Sequence, residues 1–155
     1  MKYKNLCLHA LSFLVIVSLD LISKWWVLNF WNEPFRIASF FSIETALNLG
    51  VSWSFFSCSG QIQLIALISA ITVILSGFLY FLIAEFKRRG SAIPEMFIFS
   101  GGVSNLIDRF WRGGVLDFLS FNIGDWYWPT FNIADIFIFL GVIFLVTRTL
   151  REIAD

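Results

Sequence analysis

The chain has few charged residues for its length. Only 14% of its 155 residues are Asp, Glu, Lys or Arg, while 58% are hydrophobic. Soluble domains carry about 25% charged residues, and they need that polar surface to remain in water. The shortage therefore excludes a soluble domain. We predict an integral membrane protein that forms a single domain over residues 1–155.

The chain also has few residues of the types that build metal and thiol sites. It contains one histidine, His9, and two cysteines, Cys7 and Cys58, and its formal net charge is zero. A single histidine disfavours a zinc site, which needs three or four ligands. Without a basic surplus, nothing indicates a nucleic-acid partner. We interpret His9 as a packed or lipid-facing side chain and the cysteines as small apolar fillers.

What the chain does have is long apolar stretches. Four of them, at about residues 5–28, 62–85, 93–109 and 131–148, are long enough to span a membrane. Each approaches the ~20 residues that cross ~30 Å of hydrocarbon. The first resembles a signal peptide, but no small-residue cleavage site follows it, so we interpret it as a retained helix. Two longer connections remain, at about 31–61 and 110–130.

The lysines and arginines predict the orientation of these spans. Seven of them fall on one side of the predicted topology: Lys2, Lys4, Lys87, Arg88, Arg89, Arg148 and Arg151. Four fall on the other: Lys24, Arg36, Arg109 and Arg112. Because positive charge accumulates in cytoplasmic segments, both termini are predicted to be cytoplasmic. All seven tryptophans then lie at or beyond the outer interface, and the two longer connections face outward.

Both outer connections have the pattern of short strands. The stretches "FRIASFFSIETALNLGVSW" and "GGVLDFLSFNIGDWYW" combine β-branched and aromatic residues with glycine turns. Such runs favour strands or hairpins at the membrane surface.

Polar residues concentrate at the outer ends of the predicted helices. Asp20 and Lys24 are four residues apart, acid first, which is the favourable order for an ion pair on a helix. Asn48 and Gly50 have a spacing typical of a turn, which is a weak signal by itself. A charge near a membrane is costly unless it is paired, so such groups are candidates for a functional site.

Two carboxylates, Asp117 and Asp135, are predicted to meet at this outer boundary. Asp117 follows the Gly113 and Gly114 turn and lies between apolar neighbours, while Asp135 begins the fourth helix, three residues after Asn132. Burial raises the pKa of a carboxyl group, and two carboxylates in one site do not ionise together easily. One then serves as a general base and the other as a general acid, as in aspartic proteases.

Two other interpretations remain open from spacing alone. In the first, the residues are structural: Asn132 and Asp135 cap a helix, and Asp117 pairs with Arg109 or Arg112. In the second, the carboxylates belong to an ion or proton path of a small transporter or channel. A relay needs acids across the membrane, but the predicted third and fourth spans contain none between Glu95 and Asp108 or after Asp135. This gap argues against transport.

Four motifs resemble those of a known family. "DLISK" (20–24), "NLGVSW" (48–53), "GGVSNLIDRFWRGGVLDF" (101–118) and "FNIAD" (131–135) occur in the order and spacing of the lipoprotein signal peptidases, the bacterial signal peptidase II enzymes. The resemblance covers nearly the whole chain. The third and fourth motifs together are highly specific, whereas the first two are weak alone.

The resemblance implies an aspartic endopeptidase of the bacterial inner membrane. Such an enzyme removes the signal peptide from a diacylglyceryl-modified prolipoprotein, cutting on the amino side of the lipidated cysteine. The implied fold has four transmembrane helices, a small extracytoplasmic β-cradle and a short interfacial helix. The implied partners are prolipoprotein substrates, membrane lipid and globomycin-type inhibitors. No metal or cofactor is implied, and we expect a monomer.

The resemblance also implies a role for each candidate residue. Asp117 and Asp135 match the catalytic pair. Substrate- or inhibitor-binding positions are Asn48, Asn105 and Arg109, and supporting positions are Asp20, Lys24, Asp108 and Asn132. The chain departs from the family pattern at five positions: Leu21, Ser104, Gly114, Ile136 and Phe137. None of these departures removes a proposed catalytic group, but they affect the expected shape of the pocket.

Overall fold

The computed structural model describes residues 2–31, 33–50, 60–124 and 126–154, with side chains of the first helix from Asn5 onward. Trp53, Cys58 and the last three residues of the "NLGVSW" motif therefore lie outside the described residues. Within these ranges the chain forms four helices and four strands, in the order α1, β1, β2, α2, α3, β3, β4, α4.

The helices occupy all four predicted apolar stretches. They are α1 (Lys2–Phe30), α2 (Gln61–Arg89), α3 (Ile93–Arg112) and α4 (Ile133–Ala154). Over the described ranges, three of them are long and apolar enough to cross a membrane: α1 from Asn5, α2 and α4. Side chains such as Ile62, Val73 and Ile74 on α2 point outward without cover, which suits a lipid environment.

Helix α3 is the least apolar of the four described helices, and like α1 it carries charge into the interior. It packs against α1, α2 and α4. Its buried residues include Glu95, Asp108 and Arg109. These charges reduce its hydropathy, and they face protein partners inside the bundle, where intramembrane charges are usually found. The sequence alone therefore identified α3 as an apolar stretch but not as the polar centre of the bundle.

A close contact between α3 and α4 depends on Gly101. A Cβ atom at this position would lie 2.5 Å from the backbone oxygen of Ala134 and 2.7 Å from Ile138 Cγ1. No side chain fits there, so the two backbones approach as they do at small-residue interfaces between membrane helices. This approach brings the first turn of α4 beside the polar C-terminal half of α3.

The described parts of the two longer connections form one antiparallel sheet in the order β1-β2-β3-β4. Its strands are β1 (Phe35–Ala38), β2 (Phe41–Asn48), β3 (Val115–Ile123) and β4 (Trp126–Phe131). The predicted strands are thus confirmed. Among the described residues no separate short helix accompanies them. Strands β2 and β3 join the two connections, and their register sets Ala46 opposite Asp117.

A small apolar cluster holds this sheet on the helices. Val27 of α1, Ile43 of β2 and Phe118 of β3 are buried together, and Trp31, Leu119 and Ile133 pack against them. Since Phe118 and Asp117 are adjacent on β3, their side chains point to opposite faces. Burying Phe118 in this cluster therefore directs Asp117 to the other face of the strand.

The end of the bundle away from the sheet is joined by ion pairs and by His9. Arg148 of α4 pairs with Glu95 of α3, and Arg89 of α2 pairs with Glu152 of α4. His9 is buried, and its Nε2 accepts a hydrogen bond of 2.8 Å from the Ala92 backbone N–H. His9 was predicted to be either packed or lipid-facing, and the structure shows that it is packed.

Candidate active site

Asp117 is a buried carboxylate held by amide side chains. It is 3% exposed. Asn132 Nδ2 donates to its Oδ1 at 2.6 Å, and Asn48 Nδ2 donates to its Oδ2 at 3.2 Å. Arg112, one of the two arginines considered as its ion-pair partner, pairs with Asp108 instead. That part of the structural interpretation is wrong, because Arg112 lies one helical turn after Asp108 on α3, at ion-pairing distance.

The surroundings of Asp117 favour its protonated form. Burial and then the negative charge of Asp135 raise the pKa of Asp117 from 3.8 to about 6, although the hydrogen bonds from Asn132 and Asn48 act in the opposite direction. The expectation that Asp117 is poorly solvated and holds a proton more tightly than an ordinary aspartate agrees with this environment.

This raised pKa predicts that stability depends on pH. Between pH 3.8 and about 6 the folded protein keeps the Asp117 proton, whereas the unfolded chain releases it. The stabilising contribution is therefore complete below 3.8 and is lost as the pH rises through about 6. We expect thermal unfolding in detergent to show this decline between pH 4 and 7 in the wild type and a smaller decline in Asp117→Asn. Equal pH dependence of the two proteins would contradict the prediction.

Asp135 is the third residue of α4 and completes the cap of that helix. The Asp135 N–H donates to Asn132 Oδ1 at 3.0 Å, and the Asn132 N–H donates back to Asp135 Oδ2 at 3.2 Å. This reciprocal arrangement is a capping box, here with an asparagine and an aspartate. The capping interpretation is therefore correct for both residues. It leaves Asp135 Oδ1 for another partner, which is Asn105 Nδ2 at 2.8 Å.

Asn132 links the two carboxylates. Its amide nitrogen donates both to Asp117 Oδ1 and, at 3.2 Å, to Asn105 Oδ1, while its oxygen and backbone N–H bind Asp135. The side chain is fully buried. The structure thus brings Asp117 and Asp135 to one place, at the junction of β3, the start of α4 and the C-terminal part of α3.

Lys24 supports this junction from α1. Its Nζ lies 2.6 Å from Asp20 Oδ2, 2.9 Å from Asp108 Oδ2 and 3.0 Å from Asn105 Oδ1. These three oxygens match the three donors of an ammonium group. Lys24, Asp20 and Asp108 are all fully buried. The predicted Asp20–Lys24 pair is confirmed, but the sequence did not indicate that Asp108 completes it.

Asp108 and Asp20 each fix a neighbouring backbone segment. Asp108 Oδ2 accepts the Leu116 N–H at 3.1 Å, which anchors the start of β3 just before Asp117. Asp20 Oδ1 accepts the Ala134 N–H at 2.9 Å, just before Asp135. Each of these two supporting carboxylates therefore positions the residue that precedes a candidate catalytic aspartate.

Arg109 and Asn48 organise the end of β2. Arg109 donates to the backbone oxygen of Gly50 at 2.8 Å and to that of Asn105 at 3.1 Å. Asn48 Oδ1 accepts the Gly50 N–H at 3.1 Å, so the predicted turn at this position is present. Gly114 lies against this turn, since a Cβ atom there would come within 2.9 Å of the Asn48 backbone oxygen.

Every sequence-predicted site residue lies in this one cluster. The sequence did not predict one further contact in the cluster. Ser104 donates its hydroxyl to Asp20 Oδ2 at 2.7 Å, although it was noted only as a departure from a motif. Within the described part of the chain, no group of three or more His, Cys, Asp and Glu side chains is arranged to hold a metal ion. The cluster can supply a proton acceptor and a proton donor side by side.

Comparison with known proteins identifies the family. The sequence profile of signal peptidase (SPase) II matches residues 12–151. A lipoprotein signal peptidase of Xylella fastidiosa is 36% identical over 146 residues, covering 91% of this chain and 87% of the relative. Another, from Rickettsia conorii, is 35% identical over 141 residues, covering 86% of this chain and 68% of the relative. The chain belongs to the signal peptidase II family.

Solved structures agree with this membership. A bacterial membrane enzyme determined by the in meso method at 2.3 Å resolution superposes with a TM-score of 0.78 at 24% identity, covering 93% of this chain and 88% of the other, which shows the fold. A second, at 1.9 Å resolution, gives 0.75 at 25% identity and 93% coverage of both chains. As a signal peptidase II member, the chain is a membrane aspartic peptidase that processes prolipoproteins, and these matches give no support to a transporter.

Proposed function

We propose that Asp117 and Asp135 are the catalytic pair of this peptidase. The observation that carries the proposal is the shared environment of the two carboxylates, which are bridged by Asn132 and bound by the amides of Asn48 and Asn105. Neutral amides orient a carboxylate without giving it a fixed ion-pair partner, and therefore leave the pair able to gain and lose a proton.

In the proposed reaction the pair carries one proton. The ionised carboxylate removes a proton from a water molecule, whose oxygen attacks the carbonyl carbon of the peptide bond before the lipidated cysteine. The protonated carboxyl donates its proton to the carbonyl oxygen. As the C–N bond breaks, the carboxyl that took the water proton passes it to the leaving cysteine amine, and a hydroxyl proton of the intermediate returns to the other carboxylate. The products are the signal peptide with a new carboxyl end and the diacylglyceryl-modified protein. Because the pair titrates as a unit, neither role belongs permanently to one residue.

The remaining site residues then bind or support. We assign Asn48, Asn105 and Arg109 to substrate or inhibitor contact, since their side chains line the turn and helix beside the pair. Asp20, Lys24, Asp108 and Asn132 support the pair through the hydrogen bonds already described. One chain supplies all of these groups, which favours a monomer and a single peptidase domain.

We propose that α3 is a fourth membrane span. Its 20 residues give about 30 Å of helix, the thickness of the hydrocarbon core. Its charges have protein partners: Glu95 binds Arg148, and Asp108 binds Lys24 and Arg112. Paired charges that face the bundle interior are compatible with a membrane span.

The same arrangement favours a site on the outer face, with both termini in the cytoplasm. Lys87, Arg88 and Arg89 lie at the end of α2 away from the sheet, where cytoplasmic positive charge is expected. Five tryptophans are exposed on the segments that lead to the sheet or lie in it: Trp25, Trp26, Trp111, Trp126 and Trp128. Such rings favour the headgroup region. The scissile bond of a prolipoprotein, next to its lipid, also lies near the outer surface.

The test is cleavage of a diacylglyceryl-modified prolipoprotein by the purified full chain in detergent or lipid. We expect release of the signal peptide, no release from the unmodified precursor, and inhibition by a globomycin-type peptide. Cleavage that does not require the lipid modification, or that the inhibitor does not block, would contradict the proposed substrate class. Addition of a metal chelator provides the control for contaminating metallopeptidases.

A further inference from the structure

Ser104 behaves differently from the serine one turn before it on α3. Ser100 and Ser104 are both fully buried. Ser100 donates its hydroxyl to the backbone oxygen of Met96 at 2.6 Å, the usual arrangement for serine inside a helix. Ser104 instead donates across the bundle to Asp20 Oδ2 at 2.7 Å. A buried hydroxyl that binds a charged group on another helix can fix the orientation of that group. A hydroxyl that binds the backbone of its own helix has no such effect.

The carboxylate that Ser104 binds in turn holds the first turn of α4. Asp20 Oδ1 accepts the N–H of Ala134 at 2.9 Å. The first N–H groups of a helix have no partner within the helix and must find one elsewhere. Here Asn132 satisfies the N–H of Asp135, and Asp20, from a different helix, satisfies that of Ala134. The residue next to Asp135 is thus fixed by a group that Ser104 orients.

A second connection runs through Lys24. Asp20 Oδ2 accepts from both Ser104 and Lys24, and Lys24 also donates to Asn105 Oδ1 at 3.0 Å. Asn105 in turn donates to Asp135 Oδ1. If Asp20 loses the Ser104 hydroxyl, its oxygen is left to Lys24 alone. The ammonium group then moves toward Asp20 and away from Asn105, which loosens the amide that binds Asp135.

We propose that Ser104 is a positioning residue for the peptidase reaction, which acts through Asp20 on the first turn of α4 and so on Asp135. The inference rests on the proposed catalytic role of Asp135. Both connections from Ser104 end at the same carboxylate, one through the backbone and the other through the Asn105 amide. Small errors in the placement of reacting groups slow the chemical step more than they weaken substrate binding.

The experiment compares Ser104→Ala with the matched variant Ser100→Ala in the full-length protein. The substrate is a diacylglyceryl-modified prolipoprotein, and kcat is expressed per folded enzyme after size-exclusion chromatography. We expect Ser104→Ala to lower kcat about tenfold, the effect of losing one hydrogen bond to a charged group, with KM within about twofold of wild type. Ser100→Ala is expected to retain wild-type kcat, and Ser104→Thr, which keeps the hydroxyl, to recover most of the loss.

Several outcomes would overturn the inference. Wild-type kcat in Ser104→Ala would do so, as would equal kcat losses in the two serine variants, since a purely structural role affects both alike. Asp135→Asn serves as the reference for the proposed function. If Asp135→Asn is inactive and Ser104→Ala is fully active, only the positioning role fails. If Asp135→Asn cleaves normally, the proposed catalytic pair fails and the positioning role fails with it.

Discussion

Replacing either Asp117 or Asp135 with asparagine is expected to abolish signal-peptide cleavage. General acid–base catalysis contributes about 10²–10⁴-fold for a single group. Here the two carboxyl groups share both functions, so we expect kcat to fall by at least about 10³-fold in each variant. An amide neither accepts the proton of the attacking water nor supplies one to the leaving amine. Single-turnover cleavage of lipid-modified substrate measures the effect.

Both variants are expected to remain folded, which makes the activity loss interpretable. Asparagine has nearly the shape of aspartate, and at position 117 it can still accept a hydrogen bond from Asn132 or Asn48. Retention volume and thermal unfolding in detergent check this. The matched control is Glu33→Gln, the same acid-to-amide change at an exposed position before β1, which is expected to be fully active. Substantial cleavage by either aspartate variant would disprove the assignment.

Two interpretations of Asp135 that looked exclusive in the sequence are compatible in the structure. The spacing of Asn132 and Asp135 indicated either a helix cap or part of a catalytic pair. The capping bonds use Asp135 Oδ2, while Oδ1 accepts from Asn105. The cap fixes the orientation of the carboxylate, and this rigid placement is what a catalytic group needs. A local structural role therefore contributes to the proposed chemistry.

The sequence predicted local features well because they depend on nearby residues. Apolar length predicted the four helices, β-branched and aromatic runs with glycine turns predicted the strands, and the spacing of Asp20 and Lys24 predicted their ion pair. The pairing of Arg112 with Asp108 has the same i, i+4 signal, acid first, and was available from the spacing. The resemblance to a known family supplied the roles of the residues, which spacing alone left open.

Long-range pairings were not predictable in the same way. Strands β2 and β3 come from different connections, and the Asn48–Asp117 contact joins residues 69 positions apart. Lys24 binds Asp108 and Asn105 across a helix contact that depends on the shape of the bundle. The hydroxyl of Ser104 gave no signal, since a serine inside a helix ordinarily binds its own backbone. Such contacts depend on tertiary packing rather than on local pattern.

Lys24→Met is expected to have the largest effect on stability. The substitution keeps an unbranched side chain of similar length but removes the ammonium group that neutralises Asp20 and Asp108, both fully buried. Removing one partner of a buried ion pair costs about 3–5 kcal/mol, because the remaining charge stays buried without compensation. Here Asp20 loses its ion pair with Lys24, while Asp108 keeps its ion pair with Arg112. We therefore expect the free energy of unfolding to fall by about this amount.

The double variant Lys24→Met with Asp20→Asn tests the cause of that loss. If uncompensated charge is responsible, neutralising one of the two carboxylates recovers part of the stability, whereas a loss caused by altered packing of the methionine is not recovered. Lys87→Met, at an exposed position of α2, makes the same chemical change without burial and is expected to unfold like the wild type. Thermal unfolding in one detergent compares all four proteins. Wild-type stability in Lys24→Met would show that the three buried charges do not hold together the half of the bundle next to the sheet.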